Sequence, residues 1–571
     1  MNWIKKAFAL ALTGTMLFSV AACGGGTNGT SSTGSTAGGE ATSGATVAAN
    51  GKLDMRVNVA SEPQTIDPNL NTASDGGMML QHTFEGLMKY VNDGEGNAII
   101  TEGQAESYEK VTNDDGTVSY TFKLRPDIKW SDGKDVTAND FVYSWRRLVN
   151  PKTAAEYNYM IDMVVNANEI MDGTETDVTK LGIEAVNDKE LKVTLTYDCP
   201  YFLELCAFAV TLPLREDIVE GNDQWTQDAS TNISNGPMKM TEWKHNAYIM
   251  MEPNEYYYDA DKVTLNSLKW VLSDDSNSVF ASYNNGEVDF VEKNIPPDEI
   301  TTLLSSGKAQ TKPLTGTYFV VFNNEVAPFD DARVRKAFSL VIDREFITEN
   351  VSRSGETPAG GFVPDGVQDA AGPEGESFRQ VGGNYYGLSA EEYEANCDEA
   401  RELLAEAGYP NGEGLPTISY SYNTLDSHRL IGEALQNMWQ TELGVNVTLN
   451  NEDWAVFIDS RHQGNFEMAR HGWIADYNDP ISFMDLWVTG GGNNDANYAN
   501  PEYDALIEKA KASTDPTERM AALHAAEDIL MEDAAIAPIY YYTNLYLLKD
   551  NIQGMYYTPL GYFFFTQCVA S

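Results

Sequence analysis

The chain is poor in cysteine and in basic residues, and each shortage argues against a class of protein. Its five cysteines in 571 residues form no C-x-x-C pair, which disfavours zinc ribbons and thioredoxin-type sites. Only 38 lysines and arginines stand against 85 aspartates and glutamates, and the formal net charge of -47 opposes binding to nucleic acid or anionic membranes. A solvated acidic surface explains this balance, although a specific acidic binding face would give the same count.

Long apolar runs and catalytic motifs are scarce as well. Beyond the N-terminus, no stretch is long and apolar enough to span a bilayer. The sequence contains no G-x-S-x-G, no H-E-x-x-H and no phosphate-binding G-x-x-x-x-G-K-[ST]. The 85 acidic residues do give many pairs of carboxylates that would suit a glycosidase. The pattern favours a protein that is not an enzyme and that holds no metal and no cofactor.

What the chain has is length and aromatic side chains. Its 571 residues exceed one ordinary core, which predicts two to four domains. An aromatic content of 11 % is typical of a folded protein with large buried or ligand-facing surfaces. Amphipathic helices alternate with short apolar strands without an internal repeat, so the predicted class is mixed α/β.

The N-terminus has the pattern of a secretory signal. Lys5 and Lys6 precede the apolar run 7–20, and small residues lead to Cys23. Residues 20–23 resemble a bacterial lipobox, in which the cysteine is lipidated, whereas an ordinary signal peptide with a chance cysteine is the alternative.

A low-complexity segment follows the cysteine. Residues 24–51 are almost wholly Gly, Ser, Thr and Ala, which predicts a flexible tether. We therefore expect a signal peptide at 1–22, a lipidated Cys23 with its linker at 23–52, and a globular part held at a membrane surface.

Local patterns predict individual elements. Period-two alternation and apolar runs predict strands at 54–60, 119–124, 417–422, 445–449 and 536–542. Helical spacing predicts helices at 141–149, 330–350, 391–407 and 516–533. Thr137 and Asp140 form a capping pattern before the first of these helices. Cys199 and Cys206 would pair if a turn brings them together, but buried free thiols fit their apolar surroundings equally well.

One stretch, Arg461 to Pro480, concentrates charges of both signs. It contains two arginines, two histidines, two aspartates, a tryptophan and a tyrosine. A small zwitterion needs fixed charges of both signs and an aromatic wall that excludes water from them. The stretch therefore suits a ligand with an ammonium at one end and a carboxylate at the other.

Several segments taken together resemble the oligopeptide-binding proteins of bacterial peptide ABC importers, within extracellular solute-binding protein family 5 (peptide/nickel-binding type). In the family's order, they are YTFKLRPDIKWSDGKDVTANDFVYSWRRL from Tyr120, NPKTAAEYNY from Asn150, PYFLEL from Pro200, FNNEVAPFDDARVRKAF from Phe322, ARELLAEAGYPNGEG from Ala400, DWAVFIDSRHQGNFEMARHGWIADYNDP from Asp453 and IAPIYYYTN from Ile536. The resemblance runs from about Leu53 to the C-terminus.

The resemblance implies an α/β fold of the periplasmic-binding-protein type, with two lobes, an extra domain on the first lobe and a ligand cleft between the lobes. We expect the first lobe at 53–84, 215–315 and 545–571, the extra domain at 85–214 and the second lobe at 316–544. It also implies a monomeric, non-catalytic receptor on the extracellular face of a bacterial cell membrane, in a single-membrane envelope, that hands short peptides to an ABC permease.

The family's charged ligand contacts carry over residue by residue. Asp476 matches the aspartate of the G-W-x-A-D-Y motif, which receives the peptide's α-ammonium in relatives; a surface aspartate that starts a turn is the alternative. Arg470, Arg461 and His428 match basic residues that meet the ligand carboxylate. For Arg461 a structural ion pair is the alternative, and for His428 a histidine satisfied by the protein itself.

The remaining expected contacts are aromatic or use the backbone. The positions that line the cleft in relatives are Trp454, Trp473, Tyr157 and Tyr318, although aromatic side chains in an unknown protein are more often core. Gly472 and Ile474 would offer backbone groups to an extended peptide by strand addition, and Ser74 would contact its first residue through the backbone. His462, His471 and Asp479 receive no role.

Three rival functions stay open at this point. The same fold could bind another cargo, such as a dipeptide, a signalling or cell-wall peptide, or an oligosaccharide. An exported hydrolase would cleave what the receptor only holds. A sensor or adhesin would use the fold without import.

Overall fold

A computed structural model describes residues 46–571. The predicted signal peptide and the predicted lipidation site Cys23 lie outside the described residues. The end of the predicted linker differs from the expectation, because residues 46–47 form a strand paired with the strand that starts at Leu53. The strand that starts at Leu53 pairs with Phe290–Glu292 only through Val57 and Asn58. Its first residues therefore have an open edge, which residues 46–47 cover.

The strands in residues 46–571 are, in chain order, β1 (Thr46–Val47), β2 (Leu53–Asn58), β3 (Met88–Asn92), β4 (Ala98–Glu102), β5 (Ala105–Thr112), β6 (Val118–Leu124), β7 (Ile183–Asn187), β8 (Glu190–Leu195), β9 (Met238–Lys244), β10 (Tyr248–Pro253), β11 (Leu265–Val271), β12 (Phe290–Glu292), β13 (Ala309–Phe322), β14 (Thr357–Pro358), β15 (Ile418–Asn423), β16 (Val447–Glu452), β17 (Met468–Ile474), β18 (Ile536–Leu548), β19 (Ile552–Gln553), β20 (Tyr556–Thr558), β21 (Tyr562–Phe564) and β22 (Val569–Ala570).

The α-helices of the same part of the chain are α1 (Ser74–Thr83), α2 (Ala138–Val149), α3 (Ala167–Met171), α4 (Phe202–Leu205), α5 (Glu216–Val219), α6 (Ser276–Asn284), α7 (Ile300–Ser305), α8 (Ala332–Leu340), α9 (Arg344–Phe346), α10 (Phe378–Gly382), α11 (Ala390–Glu406), α12 (Asp426–Leu443), α13 (Trp454–His462), α14 (Ile481–Met484), α15 (Pro501–Ala512) and α16 (Pro516–Glu532). A π-helical turn follows α9 at Ile347–Ser352.

One large sheet runs through the molecule in the order β16-β15-β17-β13-β18-β12-β2-β11-β10-β9, with β1 on β2 and β14 on β18. Its two longest strands, β13 and β18, lie in the middle and pair with each other along most of their length. Their register shifts between Pro313 and Thr317. Because both strands are long and central, each crosses from the half of the sheet that contains β15, β16 and β17 into the half that contains β2 and β9–β12.

The two halves of this sheet belong to two lobes. We use "first lobe" for residues 53–315 and 545–571 and "second lobe" for residues 316–544, the boundaries predicted from the sequence. The first lobe also carries a separate four-stranded sheet in the order β5-β6-β8-β7, within the range predicted for the extra domain. Both lobe boundaries fall inside the long strands β13 and β18.

Most predicted elements are confirmed, with ends shifted by a few residues. The capping pattern before α2 is present, since the Thr137 hydroxyl and the Asp140 carboxylate both bond across the helix start. Asp515 accepts hydrogen bonds from two backbone N–H groups at the start of α16. The single helix predicted at 330–350 is wrong: α8 ends at Leu340, and the Asp343 side chain caps a second, short helix by accepting from the Phe346 N–H.

Two further sequence questions are answered within residues 46–571. All four cysteines in that part of the chain are buried free thiols, so Cys199 and Cys206 form no disulfide there. No helix among these residues combines the length and the apolar character needed to cross a bilayer.

Candidate functional site

A cavity of about 300 Å³ lies where the two lobes meet. Its wall includes residues from the first lobe, among them Ser74, Tyr157 and Tyr562, and residues from the second lobe, among them Arg470 and Asp476. A volume of this size matches small-ligand pockets, which lie preferentially at domain interfaces. The cavity is the candidate functional site.

Asp476 lines the cavity as a buried carboxylate that has no cation partner among the described residues. Its side chain accepts hydrogen bonds from the Tyr157 hydroxyl at 3.1 Å and from the Ser482 hydroxyl at 3.2 Å. Asp476 is only 6 % exposed, and no cation of the described residues pairs with it. Burial raises the pKa of its carboxyl to about 7 against the opposing effect of the two hydroxyls.

Aromatic rings surround this carboxylate. The Trp473 ring lies 5.9 Å from the Tyr157 ring, centroid to centroid, and the Trp473 Nε1–H donates to the Ser482 carbonyl at 2.8 Å. Tyr562 also lines the cavity. Trp473 lines the cavity, and its indole N–H bond fixes the ring. A charge beside this ring is shielded from water.

Arg470 has the complementary property at another part of the wall. It forms no ion pair among residues 46–571; its Nη2 lies 3.4 Å from the Tyr542 hydroxyl, and its Nε is buried without a hydrogen-bond partner. The guanidinium carbon lies 5.3 Å from the Tyr318 ring centroid and 6.0 Å from that of Trp454. The side chain is thus held by aromatic faces and has donors left for an anion.

The strand β17 connects these two charges and has an open edge toward the cavity. On one side all of its residues pair with β13, from Met468 to Ile474. On the other side β15 pairs only with Met468 and Ala469. Residues 470–474 therefore have no strand partner on that side among the described residues, and they line the cavity. These five residues cover four steps of about 3.3 Å, or about 13 Å, which is the length of a short extended peptide.

Gly472 lies in the middle of this open edge. Its N–H donates to the Nδ1 of His471 at 2.7 Å, so it points away from β13. Because N–H groups in a strand alternate between its two sides, the N–H groups of Arg470 and Ile474 point the same way. A Cβ atom at residue 472 would overlap the Tyr542 hydroxyl. Glycine is thus required by the close approach of that ring.

Arg461 lines the cavity but already has a carboxylate of its own. Its Nε lies 3.6 Å from the carboxylate of Asp495, and the Nε2 of His471 lies 3.0 Å from the same carboxylate. His462 bonds Glu156 of the first lobe at 2.5 Å through its Nδ1. The structural ion pair considered for Arg461 is therefore present, and this cluster gives both histidines a role that the sequence did not reveal.

His428 lies on the cavity wall, whereas Tyr318 does not. Burial and the neighbouring Arg470 hold the pKa of His428 well below its usual range, so this residue is neutral rather than a cation near pH 7. Its Nδ1 lies 3.3 Å from the Tyr318 hydroxyl. Tyr318 is fully buried and lies behind the cavity wall rather than on it, since its ring stacks on that of Tyr540.

The other predicted contacts lie on the wall. Trp454 begins α13 and Ser74 begins α1, and both residues line the cavity. The Ser74 hydroxyl is already used, because it accepts from the Lys293 ammonium at 3.3 Å. Asp479, which received no role from the sequence, forms a buried two-pronged ion pair with Arg519 at 2.7 and 2.8 Å.

Several contacts between the lobes do not involve the cavity. The Tyr201 and Tyr477 rings stack 4.2 Å apart, and Lys511 lies 2.5 Å from Asp162. Such contacts hold the lobes against each other. Within residues 46–571 no group of three or more His, Cys, Asp or Glu is arranged to hold a metal ion.

Comparisons with known proteins identify the family to which this arrangement is similar. The profile of the bacterial extracellular solute-binding proteins, family 5 Middle, matches residues 100–495. The oligopeptide-binding protein OppA of Bacillus subtilis is 36 % identical over 524 residues, which cover 90 % of this chain and 92 % of that protein.

Solved structures agree with the sequence relatives. The Haemophilus influenzae OppA complex with the peptide RPPGFSPFR superposes with a TM-score of 0.83 at 32 % identity, covering 90 % of this chain and 99 % of that one. The murein tripeptide binding protein MppA of Escherichia coli gives 0.83 at 33 % identity, covering 92 % and 99 %. The unliganded open form of MppA gives only 0.57, at coverages of 92 % and 97 %, so the lobes of this chain are arranged unlike those of an open form.

Proposed function

The chain belongs to the bacterial extracellular solute-binding proteins, family 5, and we propose that it captures short peptides in the cleft between its lobes without cleaving them. The observation that carries this proposal is the pair of uncompensated charges along the open edge of β17. Asp476 lacks a cation and Arg470 lacks an anion among the described residues. An extended peptide supplies both, an ammonium at one end and a carboxylate at the other.

The peptide backbone would extend the sheet as an added strand. The open residues 470–474 offer N–H and C=O groups on the cavity side, with Gly472 and Ile474 facing the ligand. Hydrogen bonds to the backbone do not depend on the peptide's side chains. A receptor of this kind therefore accepts many sequences of similar length.

The individual residues have different parts in this proposal. Asp476 receives the α-ammonium, with Tyr157 and Trp473 as its wall, and Arg470 receives the carboxylate. Neutral His428 would contribute a hydrogen bond rather than charge. Arg461 stays a predicted ligand contact, although its charge is shared with Asp495. Trp454 and Ser74 would form part of the surface around the peptide.

We further propose that the two lobes, with the predicted boundaries, close on the ligand by bending β13 and β18 where their register shifts. The relatives support peptide as the cargo, since OppA is an oligopeptide-binding protein and MppA is a murein tripeptide binding protein. The contacts between Tyr201 and Tyr477 would stabilise the closed form.

Delivery to an ABC permease and a lipid anchor at Cys23 complete the proposal. The anchor rests on the sequence pattern at residues 5–23 and the tether after it. A monomeric receptor on the outer face of a single-membrane cell would then hold captured peptide close to its permease. Metabolic labelling with a fatty acid tests the anchor, which Cys23→Ser should abolish.

Isothermal titration tests the binding function. A tetrapeptide with a free N-terminus should bind the wild-type protein more tightly than its N-acetylated form by on the order of 2–5 kcal/mol, because acetylation leaves the buried Asp476 carboxylate unpaired. In Asp476→Asn the difference should vanish. Equal affinity of both peptides for the wild-type protein would remove Asp476 as the ammonium partner, and release of cleaved peptide would indicate a hydrolase.

A further inference from the structure

Glu292 is another buried carboxylate on the cavity wall, at the end of β12 in the first lobe. Its side chain is 6 % exposed, and its Oε1 is buried without a hydrogen-bond partner among the described residues. Asp476 lies in the second lobe, after the end of β17. The two carboxylates therefore come from different lobes and line the same cavity.

The surroundings of Glu292 satisfy its charge only in part. The nearest cation is Lys293, whose Nζ lies 3.8 Å from Oε1, too far for a hydrogen bond. The Lys293 ammonium bonds the Ser74 hydroxyl instead, and its side chain is 44 % exposed. Burial raises the pKa of the Glu292 carboxyl, against the effects of Lys293 and Asn544. A carboxylate desolvated to this degree is costly unless a donor completes it.

Another carboxylate of the cavity wall, Glu356 of the second lobe, is satisfied. The Oε2 of Glu356 accepts from the Ser354 N–H at 2.8 Å and from the Ser352 hydroxyl at 3.1 Å. Glu356 also lines the cavity. Of the two glutamates, only Glu292 has a buried carboxylate oxygen without a hydrogen-bond partner among the described residues.

We propose that Glu292 forms a subsite for a cationic side chain, lysine or arginine, of a peptide held in the cleft. This rests on the proposed peptide-binding function and adds a side-chain preference to it. An ammonium or guanidinium carries several N–H donors, so it can fill the free acceptor positions of Glu292 while its methylene stem packs in the cavity. A neutral side chain of similar length leaves the carboxylate unpaired. The exposed Lys293 can turn toward solvent when the ligand cation enters.

Titration calorimetry with matched peptides tests the subsite. Alanine-based peptides of three to five residues carry either lysine or norleucine at each position after the first, so that the α-ammonium at Asp476 is constant. At one position the wild-type protein should bind lysine at least about tenfold more tightly than norleucine, in line with a charge-assisted hydrogen bond. Glu292→Gln should abolish that ratio, whereas Glu356→Gln should keep it.

Two results would overturn the proposal while leaving peptide binding intact: no position at which the wild-type protein prefers lysine, or a preference that survives Glu292→Gln. Absence of binding by every peptide would instead remove the proposed function, and this subsite with it. Should Glu292→Gln fail to fold, Lys293→Gln decides the question. Without the competing ammonium the lysine preference should increase severalfold, and an unchanged or smaller preference would contradict the proposal.

Discussion

At the scale of single residues, the charged side chains of the cleft differ in whether another residue among those described neutralises them. Arg461 and Arg470 are nine residues apart in the same stretch, yet one shares Asp495 with His471 while the other faces only aromatic rings and hydroxyls. The family resemblance implies both as carboxylate partners. Only their surroundings distinguish the arginine that lies beside a carboxylate from the one that has none among the described residues.

The arginines can be separated by experiment. Arg470→Ala should weaken binding of peptides with a free C-terminal carboxylate by on the order of 2–5 kcal/mol and leave their C-amidated forms little changed. Arg461→Ala should instead lower the melting temperature, because it leaves the Asp495 carboxylate buried with less compensation. Titration and thermal unfolding of both variants check this. The same discrimination between carboxylate and amide in both variants would show that the roles are not divided in this way.

The raised pKa of Asp476 predicts a pH dependence of binding. Below about pH 7 the empty site holds a proton, which the ligand ammonium must displace, so affinity should fall by about tenfold for each pH unit below that value. Above about pH 8 the α-ammonium itself deprotonates, and affinity should fall again. Titrations from pH 5 to pH 9 should give an optimum near neutral pH for the wild-type protein. The acidic limb should be absent in Asp476→Asn; its persistence there would assign it to another group.

The sequence predicts the residues that touch the cavity better than it predicts their state. The G-W-x-A-D-Y motif led directly to Asp476 and Trp473. It could not reveal that His428 is neutral or that Tyr318 is buried behind the wall, because both depend on packing across separate elements. Glu292 and Lys293 were missed altogether, since one carboxylate among 85 acidic residues has no local signal.

At the scale of elements, the open edge of β17 is what a peptide would use. The parallel partner β15 covers only Met468 and Ala469, and β13 occupies the opposite side throughout. Local patterns predicted β15 and β18 because they are apolar runs. The predicted single helix at residues 330–350 is wrong, because helical spacing of apolar residues continues across Asp343 whereas the side chain of Asp343 caps the start of a new helix.

Gly472 provides a test of this edge. An alanine there would push the Tyr542 ring away and disturb its contact with Arg470, so Gly472→Ala should weaken peptide binding by about tenfold, or about 1.4 kcal/mol. Removing the hydroxyl in Gly472→Ala/Tyr542→Phe should restore part of the affinity. Tyr542→Phe alone is the matched control. Unaltered binding by Gly472→Ala would show that the position of the Tyr542 ring does not affect how Arg470 holds the ligand.

At the scale of the whole molecule, the structure has the lobes together. It resembles the MppA structure with a TM-score of 0.83 and the open form of the same protein with 0.57. The lobes also contact each other outside the cavity, for example through Lys511 and Asp162. The family resemblance gave the two-lobed fold from sequence, whereas the contacts between lobes come from residues far apart in the chain and have no signature in it.

Closure should be visible in solution. Small-angle X-ray scattering of the ligand-free protein should give a larger radius of gyration than the same sample with saturating peptide, because peptide contacts both lobes and favours the closed form. Asp476→Asn at the same peptide concentration should show a smaller decrease. An identical radius with and without peptide in the wild-type protein would contradict closure on the ligand.

Native mass spectrometry of the purified protein, before and after mixing with a defined set of short peptides, addresses the central claim most directly. We predict complexes of one protein with one peptide, from which denaturation releases each peptide at its intact mass. A protein that retains no peptide from the set, or that returns fragments of it, would contradict the account of a non-catalytic peptide receptor.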